Sequence, residues 1–306
     1  MPLPKILVIL GPTASGKSAL AVELAQKYNG EIISADSRQV YKGLDIGTGK
    51  ITKGEMQGIP HHLLDVADPK KVFTVQDFKT KAEKAIAKIL KKKKVPIICG
   101  GTGFYIQSIV DNIILPEVKP NTRLRSKLKS KTPEELFAIL LELDHQRAAT
   151  IDPSNPHRLI RAIEIATKLG KVPPIQSDPK YESLQIGIQT DDELIKQKIH
   201  KRLIDRLDQG MIEEVEKLHK KGLIWKRLDD LGLEYRYIAL FLQNKIIPRQ
   251  GSGQVKQEMI EQLEMEIWHY AKRQKTWFKR DQRIKWFALE QKKEIGREVS
   301  IFLKNL

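Results

Sequence analysis

The sequence predicts an α/β protein, a parallel sheet with helices on both faces, interrupted by an all-helical insertion. Three observations predict it. Residues 6–10 (Ile-Leu-Val-Ile-Leu) are continuously apolar, as a strand buried on both faces should be. A glycine-bounded loop, 11–16, follows and runs directly into a helical pattern. A second apolar run, Val95-Pro-Ile-Ile-Cys99, ends in Gly100-Gly101-Thr102, so strands and helices alternate with glycines at strand ends.

The remaining elements follow in order. A helix is predicted over 17–28, then a strand over 31–35 that ends in Asp36-Ser37. Residues 75–94 have helical spacing, with Phe78, Ala82, Ala85, Ile86 and Ile89 on one face. The pattern changes at Pro116–Pro120. From 121 to 182 no strand is predicted, only helical runs over 122–130, 133–143 and 155–169, bracketed by prolines at 116–120 and 173–179. This defines an expected helical insertion, 120–183, in a core made of 1–119 and 184–306. Strand pattern returns at 184–189. Asp191 or Asp192 caps a helix to 208, and helices are predicted over 211–221 and 255–279. A last strand over 283–287 is expected to close the domain.

Composition narrows the function. The chain has 306 residues, 41% apolar and 30% charged, enough for a real core. Lys and Arg total 54 against 38 Asp and Glu, a balance of +16. That excess suits a polyanionic partner such as nucleic acid, or a solvated basic surface. Cys99 is the one cysteine, which excludes an intramolecular disulfide and a multi-cysteine zinc site. No signal-peptide pattern and no apolar stretch of ~18 residues is present, so a cytoplasmic protein without a membrane span is expected.

Five motifs carry chemistry. The first is Gly11-Pro12-Thr13-Ala14-Ser15-Gly16-Lys17-Ser18, the G-x-x-x-x-G-K-[ST] phosphate loop of P-loop NTPase-like folds. Backbone N–H groups at a helix start cradle a phosphate, Lys17 neutralises its charge, and Ser18 is the expected Mg²⁺ ligand. Such loops most often hold ATP or GTP. Yet the 95–99 strand ends in Gly-Gly-Thr, without the acid that hydrolytic relatives use to hold Mg²⁺ and position water. That favours group transfer over hydrolysis.

The second motif is Asp36-Ser37-Arg38-Gln39-Val40-Tyr41, at the strand end facing the same crevice. Asp36 there is a general base, a metal partner or a helix-capping acid. Third, the pair His61-His62 invites a metal, but adjacent histidines rarely share one ion. Fourth, Arg158 and Arg161 are neighbours on one helix face, suited to phosphates or to an ordinary surface. Fifth, the segment 270–285 holds seven basic residues and one acid, with Trp277 and Phe278 among them. Interleaved cations and rings suit RNA, or else a core tryptophan with cations outside it. Lys91–Lys94 reads as a solvated helix end.

Together these residues resemble the tRNA dimethylallyltransferase (tRNA isopentenyltransferase) family, bacterial type. The resemblance spans nearly the whole chain. It rests on Gly11–Ser18, on Ser34-Ala-Asp-Ser-Arg-Gln-Val-Tyr41 and on Asp45-Ile-Gly-Thr-Gly-Lys50. It adds Pro60-His-His-Leu-Leu-Asp65, Gly100-Gly-Thr-Gly-Phe-Tyr105 and Asn155-Pro-His-Arg-Leu-Ile-Arg161. Gly210-Met-Ile-Glu-Glu-Val215 and Lys272-Arg-Gln-Lys-Thr-Trp277 complete it.

The resemblance implies transfer of a dimethylallyl group from its diphosphate to N6 of the adenosine 3′-adjacent to the tRNA anticodon. The loop at 11–18 would then hold an isoprenoid diphosphate, with Thr13 touching it. Asp36 would be the base, Lys17 and Arg202 would act on the leaving diphosphate, and Ser18 would hold Mg²⁺. Implied tRNA contacts are Asp36, Ser37, Arg38, Gln39, Thr102, Arg125, His157, Arg158, Leu159, Ile160 and Arg161. To these it adds 231–236, with Arg236, and Lys272, Arg273, Gln274, Lys275, Trp277 and Lys279. The insertion would help clasp the anticodon stem-loop, and a monomer is implied. Arg206 matches no family feature, and 231–234 departs from the family pattern. Two alternatives are an adenylate isopentenyltransferase acting on free AMP, ADP or ATP, and an RNA-binding P-loop kinase or ATPase. A catalytically silent RNA-binding module is a third.

Overall fold

The computed structural model describes residues 2–174, 176–247 and 255–304. They form two compact units, 113–178 and the remainder of the chain.

The larger unit is built on a six-stranded sheet. Its strands are β1 (Lys5–Leu10), β2 (Gly30–Ser34), β3 (His61–His62), β4 (Val95–Gly100), β5 (Glu182–Gln189) and β6 (Lys285–Ala288), in the order β3-β2-β4-β1-β5-β6. Every pairing is parallel, with Ile9 opposite Cys99 on one side and Ile186 on the other. β1 is buried at all six positions, which is why its sequence is apolar without alternation. Ile6, Val8 and Leu10 pack toward one face with Phe78 and Ile86, while Leu7 and Ile9 pack toward the other with Leu20 and Val299.

The first helices are α1 (Lys17–Lys27), α2 (Lys53–Met56), α3 (Val75–Lys91) and α4 (Gly103–Val110); α1, α3 and α4 cover those faces, whereas α2 buries no side chain. Thr74 starts α3 with a capping box to Asp77. In the second unit lie α5 (Thr122–Leu128), α6 (Pro133–Leu143), α7 (His145–Ala148) and α8 (Pro156–Leu169). They bury Leu136, Leu140, Leu159 and Ile163 in a core of their own. Inside it Glu164 accepts hydrogen bonds from Asn121 N–H and from Arg125 and Arg161.

The larger unit resumes with α9 (Asp192–Asp208), α10 (Met211–Lys220), α11 (Trp225–Asp230), α12 (Leu233–Leu242), α13 (Val255–Phe278) and α14 (Lys292–Leu303). All but α14 contribute to an apolar cluster around Leu203, Val215, Leu228, Tyr235 and Leu263. No described helix is long and apolar enough to cross a membrane.

Several expectations need correction. The insertion spans 113–178 rather than 120–183. Lys180 pairs with Glu83 of the sheet unit, and Ser183 already lies within β5. The last strand starts at Lys285, since Arg283 is held in a turn by Asp281. It does not end the domain, because α14 follows, and its Gly296 carbonyl accepts a hydrogen bond from the Tyr28 hydroxyl. α2, β3, α4, α7, α11, α12 and α14 had no predicted counterpart. α4 is apolar nearly all round, so it shows no helical stripe.

Candidate active site

In an all-parallel sheet the loops beyond the strand ends share one crevice, and here those after β1, β2 and β4 line a cleft of about 850 Å³ together with residues of α9, α12 and α13. After β1, residues 11–16 turn sharply and enter α1 through Gly16 at φ 87°. Gly16 offers no side-chain cap, and α1 has no acid in its first turn. The first N–H groups of α1 are therefore available to an anion. Lys17 Nζ reaches back to the Pro12 carbonyl at 3.1 Å. Burial lowers the pKa of its ammonium, opposed by Cys99 and Asp36 and reinforced by Arg202. Ser18 lines the cleft. Ser15 Oγ is buried without a described hydrogen-bond partner.

After β2 comes Asp36. Its Oδ1 accepts the N–H of Arg38 at 2.8 Å and of Gln39 at 3.3 Å, an Asx turn that orients the carboxylate. No described residue hydrogen-bonds to Oδ2. The Ser37 N–H donates to Thr102 Oγ1 at 3.0 Å, tying this turn to the end of β4. From α9 come Arg202 and, one turn later, Arg206. Arg202 makes no hydrogen bond or ion pair with a described residue, and it is pushed down to about 10 by burial and by Arg206. It remains charged at neutral pH. Arg206 bonds Glu234 at 3.3 Å. Tyr270 adds a ring to the cleft, with the Arg273 guanidinium 5.9 Å from its centroid. Burial and the Asp36 charge push its hydroxyl up to about 12.

The cleft therefore assembles Thr13, Ala14, Gly16, Lys17 and Ser18 with Asp36, Ser37, Arg38 and Gln39. Arg202, Arg236 and Arg273 line it too, with 231–234 between them. Gln274 lines it as a buried brace: its amide donates to Gly101 O at 2.8 Å and accepts the Thr13 N–H at 2.9 Å. Other expected contacts lie elsewhere. Lys275 is committed to Asp192 and to the Thr190 carbonyl. Trp277 packs edge-on against Phe104. Lys272 sits over the Trp268 ring, and Lys279 is exposed. In the helical unit His157 and Arg158 are exposed, whereas Arg125 and Arg161 are bound to Glu164. Leu159 and Ile160 turn inward. They are 0% and 9% exposed, side chains packed in the core of the helical unit.

His61 and His62 form β3, and His62 bonds Glu31 at 2.8 Å. Among the described residues no group of three or more His, Cys, Asp or Glu could hold a metal ion. Sequence reasoning missed Arg206 and Tyr270 as cleft residues. The i, i+4 spacing of Arg202 and Arg206 was the signal for the first; none marked the second.

Comparison with known proteins adds the following. The model of a family described as IPP transferase matches residues 39–281. The chain is 42% identical over 286 residues to tRNA dimethylallyltransferase 1 of Syntrophus aciditrophicus, covering 92% of this chain and 91% of that one. It is 38% identical to tRNA dimethylallyltransferase of Anoxybacillus flavithermus, covering 98% and 95%. The fold matches a crystal structure of tRNA isopentenylpyrophosphate transferase from Bacillus halodurans with TM-score 0.72 and 32% identity, over 97% of this chain and 95% of that one. It also matches a eukaryotic dimethylallyltransferase acting on tRNA, with TM-score 0.75 and 28% identity, over 90% of this chain and 69% of that one.

Proposed function

The chain belongs to the IPP transferase family, and on that premise we propose that it transfers a dimethylallyl group from dimethylallyl diphosphate to N6 of the adenosine 3′-adjacent to a tRNA anticodon (position 37). One observation carries the assignment. A phosphate loop and an arginine that pairs with no described carboxylate converge with a carboxylate whose Oδ2 has no described partner.

The exocyclic amine of adenine is a weak nucleophile, since its lone pair is delocalised into the ring. Asp36 Oδ2 takes a proton from N6 as N6 bonds C1 of the dimethylallyl group. The C1–O bond breaks, and the electron pair leaves with the diphosphate. Lys17, Arg202 and the loop N–H groups meet the charge developing there. The adenine reaches the cleft unstacked from its neighbours. Mg²⁺ fits this donor set: Ser18 offers a hard oxygen, no protein cage is present among the described residues, and this ion commonly binds through substrate phosphates. It would supply further neutralisation of the diphosphate. Arg38, Arg236 and Arg273 at the cleft, with the exposed His157 and Arg158, are the tRNA contacts this reading favours. The helical unit clasps the anticodon stem-loop, and the enzyme acts as a cytoplasmic monomer.

Mass analysis of tRNA nucleosides after incubation with dimethylallyl diphosphate and Mg²⁺ tests the reading. It expects N6-isopentenyladenosine in tRNA. Prenylation of AMP alone, or ATP turnover without prenyl transfer, would overturn it.

A further inference from the structure

Two motifs evident in the sequence, 45–50 and 210–215, take no part in the chemistry above. In the structure they meet. Glu214 on α10 accepts the N–H groups of three successive residues: Asp45 at 3.0 Å and Ile46 at 2.8 Å on Oε2, and Gly47 at 3.1 Å on Oε1. The Tyr235 hydroxyl donates to Oε1 at 2.6 Å. Consecutive N–H groups converging on one anion form a nest. Here the anion is the protein's own carboxylate, carried on another element.

The loop so held reaches both halves of the site. Gly47 lies flat on the buried Tyr235 ring, where a Cβ would come within 2.7 Å of Cζ. Gly49, at φ +56°, lies against the arginines: a Cβ there would stand 1.7 Å from one Arg206 Nη and 3.0 Å from one Arg202 Nη. Arg206 donates to the Gly47 carbonyl at 3.4 Å. On the opposite side the Gly49 carbonyl accepts from Gln39 Nε2 at 3.1 Å, and the Gln39 N–H binds Asp36 Oδ1.

We propose that Glu214, with Tyr235, is a positioning residue: it clasps the 45–49 loop and thereby sets where Arg202 and Arg206 meet the leaving diphosphate. The proposal rests on the diphosphate reading of the cleft. Glu214 touches no substrate; it acts through the loop.

The test is titration calorimetry with inorganic diphosphate, on the full-length protein and three variants. Glu214→Gln keeps the shape but replaces one acceptor oxygen by an NH₂ group, so a loop N–H loses its partner. The diphosphate Kd is expected to rise about tenfold, the scale of one lost charge-assisted hydrogen bond, while tRNA affinity stays within about twofold. Gly47→Ala, which presses on Tyr235 without touching the carboxylate, should raise the same Kd. Tyr235→Phe should raise it about twofold. A folded Glu214→Gln protein with lowered Tm but unchanged diphosphate Kd would overturn the proposal, leaving a purely structural tie. Should that variant not fold, the Tyr235→Phe and Gly47→Ala ratios decide, and unchanged Kd in both overturns it. Prenyl transfer by the wild type is assayed separately. Its absence beside a clasp-dependent diphosphate Kd would remove the prenyl reading and leave the clasp standing.

Discussion

Two carboxylates stand at opposite ends of β2, and they are treated in opposite ways. Glu31, near its start, is 1% exposed and saturated with donors: His62 at 2.8 Å, Lys92 at 3.0 and 3.2 Å, and Lys94 at 3.0 Å. Asp36, just past its end, is oriented through one oxygen by two backbone N–H groups. The cations follow suit. Lys92 and Lys94 have a carboxylate, whereas Lys17 makes one bond to a carbonyl and Arg202 makes none to a described residue. Charge with a full complement of partners holds the fold, and charge short of partners is available to a substrate.

The largest effect is expected at Asp36. Asp36→Asn keeps an acceptor for the Arg38 and Gln39 N–H groups but removes the basic oxygen. Single-turnover transfer should slow by about 10²–10⁴, the usual contribution of a general base, with Tm and tRNA affinity little changed. Unaltered turnover would refute the base role.

At Glu31 the loss should appear in stability instead. Burial alone would raise this carboxyl, but hydrogen bonds from His62, Lys92 and Lys94 outweigh it and hold the pKa at about 2, against an ordinary 4.5. A carboxylate depressed on folding stabilises above its unfolded pKa, and that contribution fades as pH falls from 4.5 toward 2. The shift corresponds to about 3 kcal/mol. Urea unfolding of Glu31→Gln should show a loss of that order at pH 7 and a flatter pH dependence in that window, with turnover per folded molecule unchanged. A stable variant with slowed turnover would break the division between the two ends of the strand.

The same contrast explains how much was legible in the sequence. Local features were: the apolar run of β1, the glycine spacing of the phosphate loop and Asp36 at a strand end. Residues whose role depends on distant partners were not. Gln274 sits among cations and reads as an RNA contact, yet a helix turns about 100° per residue, which carries it to the buried side of α13. Leu159 and Ile160 lie beside Arg158 and Arg161 in sequence but face the core of the helical unit. Arg206 looks like any surface arginine until the fold brings Gly49 against it. Glu214 meets its three loop N–H groups across more than 160 residues of chain, a distance no motif records.

The smallest expected effect separates two lysines on α13. Lys272 has no described carboxylate partner and rests over Trp268, its ammonium 5.5 Å from the ring. Lys275 is already neutralised by Asp192 and bonded to the Thr190 carbonyl. A cation that releases counterions from RNA contributes to the salt dependence of binding, about 0.7–0.9 in the slope of log K against log salt per phosphate met. Lys272→Ala should flatten that slope by nearly one such increment and weaken tRNA binding a few-fold. Lys275→Ala should change the slope less, since binding RNA would first require breaking its tie to Asp192. Filter binding of tRNA across a salt series measures both. Equal slope changes would show that the ion pair to Asp192 does not withhold Lys275 from RNA.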